Sequence, residues 1–320
     1  MIKEIMKKIF LALLMSHLLN AFAEKHLSGH PIFTNFRTAD ASPQIWEDGK
    51  LWVYTSGDYD HATNYKHMDH YKCYSTDDMV NWTYHGVILS ASDLDWGNPN
   101  EGFMFAPDAA FKDGIYYLYF PHRPVNGKGW RVGVAVSDKP EGPFQDIGSP
   151  IDGPDHIDPT CFIDEDGEAY LYWGFGRPGT PYIAKLKENM RELAEEPKAV
   201  DYGSNDFFEA AFLHTHKGKY YFSYNQYGTS DACYAIGDSP YGPFTNKGTF
   251  AKAPSGAQSH PGIIKYKGSW YYFYHRGNYT LNGIEGSLHR RSICVDYMYY
   301  NSDGTINMVE YTNTGVNRIK

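Results

Sequence analysis

Lys267-Gly268-Ser269-Trp270-Tyr271-Tyr272-Phe273-Tyr274 reads as a tight turn followed by an aromatic strand, and the chain repeats that unit five times. The other copies are Asp48-Gly49-Lys50-Leu51-Trp52-Val53-Tyr54, Asp113-Gly114-Ile115-Tyr116-Tyr117-Leu118-Tyr119, Asp166-Gly167-Glu168-Ala169-Tyr170-Leu171-Tyr172 and Lys217-Gly218-Lys219-Tyr220-Tyr221-Phe222-Ser223-Tyr224. Their glycines lie 65, 53, 51 and 50 residues apart. Glycine takes a positive φ without strain, so Asp-Gly and Lys-Gly suit hairpin turns, and aromatic side chains suit a packed sheet.

A second element recurs later in each unit. Tyr74-Ser75-Thr76-Asp77-Asp78, Val136-Ser137-Asp138-Lys139-Pro140 and Ile236-Gly237-Asp238-Ser239-Pro240 each end a strand in an acidic turn, and an aromatic residue then opens the next strand. Each unit therefore holds about four strands, the content of a propeller blade. The expectation is an all-β, five-bladed β-propeller with four-stranded antiparallel blades over residues 24–320. A stack of β-sandwiches is the alternative, and the single common period argues against it.

Composition agrees. Of 320 residues, 28 are Tyr and 17% are aromatic, and helix signals are confined to a short stretch around Leu186–Glu195. Residues 1–23 read as an export signal: Lys3, Lys7 and Lys8, an apolar run, then Ala21-Phe22-Ala23. A periplasmic or extracellular location follows as an expectation. Removing that segment takes the formal charge from −9 to −11, which does not invite nucleic acid or an anionic membrane surface. Cys73, Cys161, Cys233 and Cys294 are far apart, have no zinc-type spacing and read as buried free thiols.

The chemistry lies just upstream of the turns. Asp40, Asp158 and Glu209 each stand nine residues before a turn glycine, and His260 stands eight before one. The second unit differs: Phe105 is at nine and Asp108 at six. The first strand of a propeller blade lines the central channel. Equal phase therefore means equal height, and the three carboxylates and His260 should meet at one mouth. Taken singly, each acidic residue is better read as ending a strand. Three at one phase point to an acid paired with an ionised partner, which glycoside hydrolysis needs.

At Thr38-Ala39-Asp40, Phe105-Ala106-Pro107-Asp108, Ile157-Asp158-Pro159-Thr160, Phe208-Glu209-Ala210 and Ser259-His260-Pro261-Gly262 the chain resembles family 43 of the glycoside hydrolases. The resemblance spans nearly the whole chain. It implies an inverting enzyme in which Asp40 is the general base, Glu209 the general acid, and Asp158 raises the pKa of Glu209 and orients it. It implies that His260 helps to hold a calcium or other cation in the channel through water, with no organic cofactor. It also implies an arginine on the substrate, Arg290, with Arg291 as its rival. Two departures bear on the sugar: Pro43 is displaced from Asp40, and Ala210-Ala211 follow Glu209.

Trp96 and Phe103, in the surplus of the long first spacing, are candidate sugar contacts, as are Trp130, Trp173, Phe207 and Tyr227. The competing role for each is blade core. Asp108 is expected to face substrate, and Asp58, His122 and Arg123 lie at strand ends near the mouth. The expected partner is a plant-type polysaccharide or oligosaccharide, cleaved by a monomer acting as an exo-α-L-arabinofuranosidase or β-xylosidase. An endo-arabinanase, endo-xylanase or galactofuranosidase is the alternative within the fold. A glycan-binding propeller without catalysis is the alternative outside enzymology.

Overall fold

The structure, a computed structural model, describes residues 26–254 and 256–320; the export-signal reading of residues 1–23 lies outside the described residues. The elements are nearly all strands. Blade I holds β1 (Arg37–Ile45), β2 (Leu51–Asp58), β3 (His70–Thr76) and β4 (Thr83–Ser90). Blade II holds β5 (Asp108–Lys112), β6 (Ile115–His122), β7 (Arg131–Ser137) and β8 (Gln145–Asp146). Blade III holds β9 (Thr160–Ile163), β10 (Ala169–Gly176), β11 (Gly179–Lys185) and β12 (Lys198–Ala199). Blade IV holds β13 (Phe207–His216), β14 (Lys219–Gln226), β15 (Ala232–Gly237) and β16 (Phe244–Ala251). Blade V holds β17 (Gly262–Tyr266), β18 (Ser269–Arg276) and β19 (Ser292–Met298).

All ladders are antiparallel between sequence neighbours, and each first strand touches the first strand of the blade on either side, with β17 meeting β1. The five-bladed propeller read from the repeats is therefore the fold. Blade V has three regular strands. Its open edge is covered by the N-terminal segment: the Ile32 N–H donates to the Ile293 carbonyl at 2.9 Å, and His30 Nε2 lies 2.9 Å from the Val295 carbonyl. That cover protects an edge which would otherwise be free to pair with another chain.

The aromatic strands follow from burial on both faces. Successive strand side chains point to opposite sides. In β18, Tyr271 and Phe273 pack toward blade I, while Tyr272 and Tyr274 pack toward blade IV. In β2, Leu51 and Val53 face blade V, and Trp52 and Tyr54 face blade II. One apolar cluster fills each of the five interblade gaps. The five turn glycines have φ between 70° and 90°, and an added Cβ at any of them would meet nothing within 4 Å. Backbone conformation, not space, demands glycine there. All four cysteines are buried and unpaired.

Candidate active site

The polar residues of the repeat sit where the inner strands break their ladders. Asp40, Asp158 and His260 have φ of 55°, 57° and 43°, and Ala210, which follows Glu209, has φ of 61°. The β1–β2 register slips between Ala39 and Ser42, and the β13–β14 register slips on both sides of Glu209. Left-handed backbone in non-glycine residues is strained and persists only where the surroundings impose it. Here it swings side chains from the channel wall into one cavity of about 280 Å³ at the channel mouth. Asp40, Asp158, Glu209 and His260 all line it. Phe105 lines it too, so blade II keeps the phase with an aromatic ring in place of a polar group.

All five blades and their connections contribute to the wall: Asp40 and Tyr65 from I, Phe103, Phe105, Arg123 and Trp130 from the I–II connection and II, Asp158, Phe175 and Arg177 from III, Phe208 and Glu209 from IV, and Gln258, His260, His275 and Arg291 from V. The long first spacing pays into this wall. Its 91–107 stretch is held by Gly102 N–H to the Lys66 carbonyl (3.0 Å) and Met104 N–H to the Met68 carbonyl (2.7 Å), which sets Phe103 at the mouth.

The three carboxylates have unlike environments. Burial alone would raise the pKa of Asp40, but Arg291, His260 and His275 override it and hold this carboxyl well below the usual range. Asp40 Oδ1 accepts from Arg291 Nη1 at 3.0 Å and lies 3.6 Å and 3.4 Å from the Nδ1 atoms of His260 and His275. Glu209 is shifted the other way. Burial and the negative charge of Asp40 raise it to about 7, with Arg291 opposing. Burial also lifts Asp158 to about 7, opposed by His260 and reinforced by Glu209 and Asp40. Asp158 Oδ2 accepts from the Ala210 N–H at 2.8 Å, which fixes the peptide that carries Glu209.

Several expected contacts are elsewhere. Arg290 faces away from the cavity and donates to the Glu285 and Ala62 carbonyls, at 2.7 and 2.8 Å; its neighbour Arg291 occupies the site. Trp96 is core: its ring stacks on Phe120, and its Nε1 donates to Asp146. Trp173 and Phe207 are 1% and 0% exposed, in the gaps between blades II and III and between III and IV. Asp108 sits deeper in the channel, where it accepts from Ser42 (2.5 Å) and from the Cys161 N–H (2.7 Å) and ties three inner strands together. His122 is buried, with Nε2 3.2 Å from the Asn98 carbonyl, and Tyr227 is exposed outside the cavity wall. Asp58 anchors Arg291 from behind the site.

His275, Tyr65, Arg177 and Gln258 line the cavity and were not singled out by the sequence. His275 had a findable signal: it is a histidine directly after the aromatic run of β18, one residue before the strand ends at Arg276.

Among the described residues no three His, Cys, Asp or Glu side chains gather as metal ligands. His260, expected to help hold the ion, lines the cavity beside His275, and both place Nδ1 near Asp40. The Nδ1 of His275 accepts from the Asp40 N–H at 3.2 Å, which leaves its buried, unpartnered Nε2 to hydrogen-bond a water of a hydrated cation.

A propeller mouth where one Asp carboxyl is held low and a Glu carboxyl is raised beside the same cavity is the layout of a glycoside hydrolase. The sequence profile described as Glycosyl hydrolases family 43 matches residues 32–306, and the chain belongs to that family. It is 38% identical to Xylosidase/arabinosidase 43A of Humicola insolens over 86% of this chain and 98% of that protein. It is 36% identical to a Xylosidase/arabinosidase of Bacteroides ovatus, over 85% and 94%. Among solved structures, it resembles the β-xylosidase/α-arabinofuranosidase CoXyl43 from a compost microbial metagenome, crystallised with xylotriose in a calcium-free form. That match has 34% identity and a TM-score of 0.79, and covers 89% of this chain and 98% of that one.

Proposed function

We propose that the protein is an exo-acting, inverting glycosidase that removes terminal β-D-xylose or α-L-arabinofuranose units from plant-type oligosaccharides. The observation that carries this reading is the convergence of Asp40 and Glu209 on one cavity whose surroundings shift their pKa values in opposite directions. Asp40, ionised, takes a proton from water as it attacks the anomeric carbon. Glu209, protonated, delivers its proton to the departing oxygen. Asp158 positions Glu209 through the Ala210 peptide, and Arg291 keeps Asp40 charged. A hydrated divalent cation held at His275 would supply positive charge beside Asp40.

Exo action is supported by the relatives, which are named as xylosidases and arabinosidases. The named activities of the Humicola and Bacteroides relatives support the choice of sugars. The N-terminal Lys-rich, apolar, Ala-x-Ala pattern supports export to the polysaccharide.

The test is hydrolysis of aryl β-D-xyloside, α-L-arabinofuranoside and β-D-galactofuranoside, with the first-formed anomer of each product read by NMR. Release of the inverted anomer from the xyloside or arabinofuranoside is expected. Retention, or turnover of the galactofuranoside alone, refutes the assignment.

A further inference from the structure

Three guanidinium groups reach the wall of the cavity. Arg291 is committed to Asp58 and Asp40. Two more guanidinium groups reach the wall, Arg123 just after β6 and Arg177 from the β10–β11 turn. The nearest carboxylate to Arg123 is Glu101, at 3.8 Å, and its Nε is buried without a partner. Its charge lies 4.6 Å from the ring centres of both Phe103 and Trp130. Arg177 is exposed, has no carboxylate within ion-pair distance among the described residues, and stands 5.6 Å from the ring centre of Phe208. Phe208 is the chain neighbour of Glu209, so Arg177 lies on the side of the cavity from which the proton is delivered.

Arginines without a hydrogen-bonded carboxylate partner are conspicuous in a chain of 38 acidic and 29 basic residues. A guanidinium presents parallel N–H donors that match a carboxylate, and stacking on a ring orders it in advance. We propose that the leaving-group side of the cavity accepts an acidic sugar. The ligand is a xylo-oligosaccharide bearing a hexuronic acid beyond the scissile bond, its carboxylate received by Arg177, with Arg123 as a second cation at the same mouth. This deepens the reading of the site as a pentose-releasing glycosidase and rests on it.

The experiment compares xylotriose with the same chain carrying one hexuronic acid. The wild type is expected to accept the acidic chain, and the ratio of kcat/KM for acidic over neutral substrate is expected to fall about tenfold in R177Q. R177K recovers part of that ratio, and raising the ionic strength lowers it in the wild type. An unchanged ratio in R177Q overturns the inference, as does a wild type that excludes the acidic chain. Failure of the functional reading looks different: xylotriose itself is not cleaved. In that event, calorimetric binding of the acidic chain to wild type and R177Q decides the inference, and equal affinities refute it.

Discussion

Arg291 and Asp40 form a buried ion pair, Nη1 to Oδ1 at 3.0 Å, while the Nε and Nη2 of the same guanidinium each lie 3.0 Å from the Asp58 carboxylate. One cation thus bridges a residue of the chemistry and a residue behind it. Removing one partner of a buried pair strands the other charge, at a cost of about 3–5 kcal/mol. Arg291→Met is expected to lower unfolding stability by that order, measured in urea, and to reduce kcat at least a hundredfold. Arg290→Met, one residue away, should leave kcat within a few-fold. Equal damage from both would mean that the bridge does not matter.

The pH dependence follows from Glu209. Its proton is needed for the leaving oxygen, and its pKa is raised to about 7, whereas Asp40 stays ionised well into the acid range. For xylobiose, kcat/KM is expected to decline as the pH rises through about 7, with one proton lost. A profile flat to pH 9 would show that Glu209 does not donate.

Leaving-group chemistry separates the two roles. A nitrophenolate departs without a proton, while a sugar alkoxide does not. General acid catalysis supplies typically 10²–10⁴ in rate. Glu209→Gln should therefore lose about that factor on xylobiose and far less on a nitrophenyl xyloside. Asp40→Asn should lose activity on both, since the water must be activated in either case. Parallel losses for the two variants would undo the assignment of acid and base.

Stability should carry the same signature. The Glu209 pKa rises from 4.5 in the open chain to about 7 in the fold, so the fold holds the proton more tightly. That contribution is fully present below pH 4.5 and disappears as the pH climbs through 7. Glu209→Gln keeps the shape and removes the titration, so the melting temperature of the variant relative to the wild type should increase between pH 5 and pH 8. A difference that does not change with pH would contradict the shift.

Much of this was legible before any coordinates. The five turn glycines and the two-faced aromatic strands encode blades, because a strand packed between two neighbours needs large apolar groups on both sides. The phase of Asp40, Asp158, Glu209 and His260 put them in one place, since distance from a hairpin fixes height along an inner strand. What the sequence hid is instructive. Trp96, Trp173 and Phe207 look like sugar platforms, but a propeller spends most of its aromatics between blades. Arg290 and Arg291 are adjacent and chemically alike, and only the direction of the backbone at the start of β19 tells them apart. His275 lies one residue before the end of an aromatic strand whose pattern speaks of packing.

The wall of the cavity belongs to no single stretch of chain; its residues run from Asp40 to Arg291 and every blade supplies some. Catalysis is therefore a report on the closure of the whole ring. A molecule opened at one seam, however intact its remaining sheets, would keep its spectroscopic signature of β-structure and lose its turnover, so enzymatic assay is a more searching probe of this fold than any measure of strand content.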